Sequence, residues 1–343
     1  MNEKKEFFYF QTEDILVIIA AFILFLMLGL SWFFNGNTVH KDASVVVKIH
    51  RGMTFKEIID SLHFKKIIDS KFSFFMAGKI LGVEKKLKAG YYNFQYGKTN
   101  YDYLKMLVTG SNRVIVKVAV YEGETLKETA KRLENLFYFS ADDFLKVAYD
   151  KDLLKKYEVD HDSFEGYLMA DTYEFYELED PAVVLETMAT LFKDFYDNNI
   201  KPKEKELDLT KNQIITLASI IEGETNLQSE MPTIAGVYIN RLKIGMKLQA
   251  DPTVAYLLED GPRRLLYKDL MIKSPYNTYL NYGLPPGPIN FPSRAAILAA
   301  VNPEKHNYLF FVMKSEGEGH IFSRTYSEHL RQVEKYRQSL KRK

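Results

Sequence analysis

The chain contains no cysteine, which excludes disulfides, thiolate metal sites and cysteine nucleophiles together. Net charge is lacking too. With 46 Lys and Arg residues against 45 Asp and Glu, the balance is +1, so nothing in the overall field invites nucleic acid. The basic residues near the C-terminus, Arg331, Lys335 and Arg337 among them, read as the solvated end of a helix, where positive charge suits the helix dipole. Phosphate-cradling GxxxxGKS and GxGxxG loops are absent, as is the GxSxG nucleophile elbow, so nucleotide and serine-hydrolase chemistries lose support. His161 near Glu165, His306, His320 and His329 never form HExxH or another metal spacing. No metal and no other cofactor is expected.

What is present is the composition of a folded protein: 343 residues, 46% hydrophobic and 14% aromatic, enough for a small module and a larger one. One long apolar run stands out. Ile15 to Phe34 is free of charge over 20 residues, and at ~1.5 Å per residue it spans ~30 Å, the thickness of bilayer hydrocarbon. A transmembrane helix is predicted over 15–34. A cleaved signal peptide would have a shorter core followed by small residues, whereas Trp32, Phe33 and Phe34 close this run. Lysines lie on both sides, so the positive-inside count does not decide orientation. The expected arrangement is a cytoplasmic N-terminus over 1–14 with the rest exported, which the chemistry argued below requires.

An internal repeat organises the remainder: VVKIHRGMTFKEIIDSL (Val46 to Leu62) recurs as KVAVYEGETLKETAKRL (Lys117 to Leu133). Each copy reads strand, glycine turn, helix, with Thr54 or Thr125 as the helix cap. Two β-turn-α units result, the first resembling a LysM-type glycan-binding module and predicted to occupy 45–116. The aromatic stretch AGYYNFQYG (Ala89 to Gly97) reads as a strand; its rings could stack on sugars or form core. From Leu136 onward helical periodicity dominates, and YLFFVMK (Tyr308 to Lys314) with HIFS (His320 to Ser323) reads as a closing β-hairpin. The fold class is α+β, with a larger mixed domain over 117–343.

Chemistry is concentrated in two places. In ITLASIIEGETN (Ile215 to Asn226) an apolar helix runs directly into Glu222. A carboxyl set in an apolar wall has its neutral form favoured and can donate a proton near neutral pH, which is what a general acid for glycoside cleavage needs. A surface or capping role for Glu222 remains open, and Glu224 competes for the acid's role. The second place is MKLQADPTVAY (Met246 to Tyr256) with SPYNTYLNYGLPPGPINFPS (Ser274 to Ser293). Four prolines, at 275, 285, 286 and 288, forbid a helix and limit backbone freedom, and long ordered loops of this sort usually build sites. Gln249, Asp251, Asn277 and Asn290 offer donors and acceptors for sugar hydroxyls and acetamido groups, while Tyr276 and Tyr279 offer stacking faces. Self-bonding within the loop is the alternative for each residue, and Asp251 is expected to cap the helix beginning near Pro252.

At these residues the sequence resembles the endolytic murein transglycosylase family, also called YceG-like. The resemblance covers essentially the whole chain, through KLKAGYYNF, FEGYLMADTYEF, LASIIEGET, AGVYINRL, MKLQADPTVAY, SPYNTY, GLPPGPI and the YLFFV and GHIFS pair, in fixed order. Ala170 stands where the family usually has proline, and Gly223 where lysine is commoner. The resemblance implies that Glu222 is the catalytic acid and base, that the bond cut is the internal MurNAc–GlcNAc β-1,4 linkage, and that the product carries a 1,6-anhydro-muramyl end. It also implies peptidoglycan glycan strands as substrate in nascent cell wall; the cytoplasmic membrane is expected as anchor from the apolar run, peptidoglycan synthases are expected as protein partners, and the residues read above make Glu224, Gln249, Asp251, Tyr276, Asn277 and Tyr279 the candidate substrate-binding residues. A membrane-anchored scaffold that binds wall without turnover, and a muramidase that uses water, are the competing readings.

Overall fold

The computed structural model describes residues 11–34, 37, 43–50, 52–177, 179–204, 209–258, 263–315 and 318–340. The expected cytoplasmic segment 1–14 therefore lies largely outside the described residues. Helix α1 (Thr12–Phe34) is exposed from Thr12 to Leu28 and is long and apolar enough to cross a membrane. The chain divides into two compact units, residues 1–116 with 176–178, and 117–175 with 179–343.

In the first unit β1 (Ser44–Ile49) and β2 (Gly90–Gln95) pair antiparallel, with Val47 opposite Tyr92 and Val45 opposite Phe94. Helices α2 (Phe55–Phe64), α3 (Lys71–Leu81) and α4 (Asn100–Thr109) accompany them. Strand alternation decides the aromatic question for half of the rings. Tyr92 and Phe94 point inward and are fully buried with Ile49, Ile58, Leu62 and Phe74, whereas Tyr91 faces outward with the Lys48 ammonium above it. Asn37 belongs to this unit: its side chain bonds Lys98 O and Asn100, and accepts from Asp69 N.

Strand β3 (Ile115–Ala119) pairs with β4 (Thr172–Tyr176), and in the second unit β5 (Phe310–Met313) pairs with β6 (His320–Ser323) as an antiparallel hairpin. Helices α5 (Leu126–Glu134), α6 (Ala141–Ala148), α7 (Lys151–Lys156) and α8 (Pro181–Asn199) precede a central helix, α9 (Lys211–Glu224). After α9 come α10 (Met231–Lys243), the short α11 (Asp251–Ala255), α12 (Arg294–Val301) and α13 (Tyr326–Leu340). The repeat is visible in both copies. Thr54 with Glu57, and Thr125 with Glu128, form the same capping box, and Gly52 and Gly123 both take the left-handed turn at φ +83 and +76, which a side chain would oppose.

Helix α9 is buried without interruption from Ile214 to Glu222. A helix apolar all round has to sit at the centre of its domain, and α12 and α10 pack on it. The apolar run of this helix ends at Ile221. The helix itself runs on for three more residues, because Gly223 lets the last turn close on Pro252: a Cβ at 223 would come within 2.6 Å of the Pro252 Cβ. Glu222 is thereby carried inside the final turn.

Candidate active site

Glu222 is 8% exposed, and its Oε2 accepts from the Ser293 backbone N–H at 3.0 Å. Burial raises its proton affinity above that of an ordinary glutamate; hydrogen bonding by Ser293 acts against this, and the nearby negative charge of Glu122 adds to it. A helix C-terminus also disfavours negative charge. The carboxyl is biased toward its protonated form, with one oxygen held by a fixed donor.

The donor is delivered by the second half of the proline-rich loop, which follows α9 turn by turn. Asn212 Nδ2 donates to Pro286 O at 2.8 Å, Ile289 N to Ser219 Oγ at 3.1 Å, and Asn290 Nδ2 to Ser219 O at 2.9 Å, before Ser293 reaches Glu222. From the other side, Gly123 N donates to Phe291 O and Phe291 N to Glu124 O. Ser293 then caps α12 by accepting from Ala296 N.

The first half of the loop does something else. Asn277 is fully buried, its amide donates to Leu270 O and Ile272 O, and its oxygen accepts from Tyr279 N. Both amide hydrogens are spent within the loop and the side chain has no exposed surface, so it builds the loop and does not face a groove. Tyr276 is half-buried, with its hydroxyl 3.2 Å from His161 Nε2 and its ring against Tyr256. The capping expectation for Asp251 is also corrected. Ala250 is the residue before α11, no side chain caps that helix, and Asp251 opens it with its carboxylate accepting from the Tyr279 hydroxyl. Asp251 stands one residue too late to be the cap, and its carboxylate is taken up by the Tyr279 hydroxyl instead of by the helix's own N–H groups.

Four of the sequence candidates do meet. Glu224, Gln249, Asp251 and Tyr279 line one open cavity of about 270 Å³, together with Tyr238 and Arg241. Glu224 donates nothing and accepts from the Tyr238 hydroxyl at 2.6 Å; burial pushes its carboxyl up to about 7. Gln249 projects from a left-handed turn, φ +48. His320 Nδ1 lies 2.9 Å from Glu230 Oε2.

Sequence reasoning missed Glu122, Ser293 and Glu165. A signal for the first existed: the tetrapeptide Glu-Gly-Glu-Thr occurs twice, at 122–125 and at 222–225. Glu165 is 5% exposed and accepts from Leu126 N at 3.0 and 3.2 Å. Burial pushes it up to about 8. Its folded proton affinity exceeds the unfolded one, so its contribution to stability is complete below the ordinary value of 4.5 and is lost as pH rises toward about 8. Glu165→Gln keeps an acceptor for Leu126 and removes the titration. Between about pH 5 and 8 the parent's unfolding free energy should fall by roughly 3–4 kcal/mol more than the variant's. Parallel urea titrations across that range would contradict this account if the two fell together.

Residues 47–335 match the profile of the YceG-like family. The chain is 32% identical over 317 residues to a Bacillus subtilis (strain 168) protein named endolytic murein transglycosylase, covering 87% of both chains. A Streptococcus pneumoniae (serotype 2, strain D39) protein of the same name is 30% identical over 301 residues, 78% of this chain and 54% of that longer one. Among solved structures, a yceG-like protein from Listeria monocytogenes is similar with a TM-score of 0.58 and 30% identity, over 84% of this chain and 98% of that one.

Proposed function

The chain belongs to the YceG-like family, and from that premise we propose that it cuts murein glycan strands internally as a lytic transglycosylase, with Glu222 as acid and then base. The observation that carries this reading is the buried carboxyl at the end of α9, biased toward its protonated form and held on one oxygen by Ser293. Glu222 protonates the O4 leaving oxygen as the C1–O4 bond breaks, and the muramyl C6 hydroxyl attacks C1 and returns its proton to Glu222. No water is consumed, and the new end is a 1,6-anhydro sugar. Hydrolytic glycosidases need a second carboxylate for water or for covalent attack; here the nucleophile belongs to the substrate and is already at high effective concentration.

The 270 Å³ cavity beside Glu224 and Asp251 serves in this reading as a neighbouring sugar subsite, its acetamido and hydroxyl groups meeting Gln249 and the exposed edges of Asp251 and Tyr279. Asn277 is not part of it. Helix α1 anchors the enzyme to the cytoplasmic membrane, with the remaining chain on the outer side, where nascent strands and the synthases that make them are found. The LysM-like module would hold the same strands.

The test is mass spectrometry of products from purified glycan strands, using the full-length protein in detergent and a variant lacking residues 1–34, which keeps the Asn37 contacts. Both should release ends lighter by one water than hydrolysis products. Ends carrying that water would replace the lyase by a muramidase, and no products at all would favour a scaffold.

A further inference from the structure

We infer that Glu122 is a positioning residue for Glu222: the turn between β3 and α5 holds this second carboxylate beside the acid, so that a negative charge stands next to the group that gives and takes the proton. The inference rests on Glu222 being the acid.

The turn is fixed from several sides. Val120 N donates to Asp171 O, Gly123 and Glu124 exchange backbone hydrogen bonds with Phe291, and Leu126 N is held by the buried Glu165. Gly123 lies against the acid itself: a Cβ built there would stand 4.0 Å from the Glu222 Cγ. Residue 122 is thus the immediate chain neighbour of a contact with the acid's side chain, on a loop with little freedom to retreat. Phe291 ties the turn to the same segment whose Ser293 holds the Glu222 carboxyl, so the two carboxylates share one frame.

The two acids of the turn have opposite fates. Glu124 is neutralised by Arg132 and bonded by Thr129. Glu122 is exposed and, among the described residues, has neither an ion-pair nor a hydrogen-bond partner. Its charge is left standing next to a group that must carry a proton.

Other charged groups on the elements around Glu222 are already engaged. Arg294 on α12 is paired with Asp171 at 2.9 Å, Asp251 on α11 is bonded by Tyr279, and Glu224 on α9 by Tyr238. The negative charge of Glu122 adds to what burial does to Glu222, raising its proton affinity. A negative charge beside a buried carboxyl disfavours that carboxyl's ionisation.

The experiment is the pH dependence of kcat/KM for strand cleavage by full-length protein in detergent, comparing parent, Glu122→Gln, Glu122→Asp and Glu222→Gln. Without the anion, Glu222 gives up its proton at lower pH. The high-pH limb of Glu122→Gln should therefore move down by roughly half to one pH unit, the size a screened charge at such separation produces, with activity recovering as the pH is lowered. Glu122→Asp should restore most of the parental profile, and added salt should narrow the gap between parent and Glu122→Gln. A Glu122→Gln profile that superimposes on the parent, or one reduced by an equal factor at every pH, overturns the inference; the second result would mark a structural role. Activity lost at all pH values in Glu122→Gln but kept in Glu122→Asp also overturns it, since Glu122 would then act directly on the substrate. Turnover by Glu222→Gln would instead remove the acid assignment, whatever Glu122 does.

Discussion

Glu222→Gln is expected to abolish strand cleavage, by a factor on the order of 10²–10⁴ or more, while the protein stays folded. The amide has the shape of the carboxyl, and its oxygen can still accept the Ser293 N–H that Glu222 Oε2 now accepts at 3.0 Å. It can neither give a proton to the departing O4 nor take one from the C6 hydroxyl. Stability should hold or rise, because a buried ionisable group is exchanged for a neutral one. Glu224 provides the control. Its carboxyl is tied to Tyr238 and lies two residues further along α9, so Glu224→Gln should bind substrate less well yet still turn over. Steady-state release of muropeptides, with circular dichroism to check folding, decides between them. Turnover kept by Glu222→Gln and lost by Glu224→Gln would reverse the two roles.

Local chemistry was legible in the sequence wherever a residue's partner lies close in the chain. The capping boxes at Thr54–Glu57 and Thr125–Glu128 are three residues apart, and the apolar pattern before Glu222 needs no knowledge of the fold. The failures have the opposite character. Asn277 reads as a free amide until its partners Leu270, Ile272 and Tyr279 are known. Asp251 before Pro252 has the pattern of a helix start, but the Tyr279 hydroxyl reaches it from 28 residues away. The extension of α9 beyond Ile221 depends on Pro252 meeting a glycine face, and Glu122 approaches Glu222 from 100 positions earlier. No periodicity encodes such meetings. The repeated Glu-Gly-Glu-Thr was in plain view, yet only the fold brings its two copies to one place.

Gly166→Ala should show how strictly the loop must be held. Gly166 has φ +77, and a Cβ there would come within 2.4 Å of the Pro288 Cβ, 2.6 Å of its Cγ and 3.2 Å of the Ile215 Cγ2. The left-handed backbone alone costs an alanine about 1–2 kcal/mol. The overlap adds a further 1–3 kcal/mol or so, since a proline ring cannot swing aside as a flexible side chain would. Pro288 begins the stretch that delivers Ile289, Asn290 and Ser293 to α9, so relief of the clash displaces the donor of Glu222. A displacement of about 1 Å can cost ~10²-fold in rate. Gly245→Ala isolates this effect, because Gly245 shares the left-handed conformation, φ +64, with nothing within 4 Å of its Cβ position. Urea titration and kcat measured on both variants should show Gly245→Ala losing only the backbone part of the stability with kcat nearly intact, and Gly166→Ala losing about 2–5 kcal/mol and most of its turnover. Equal losses in the two variants would mean that the loop absorbs a methyl group at Pro288 without moving Ser293, and the held carboxyl would then owe its position to α9 and α12 alone.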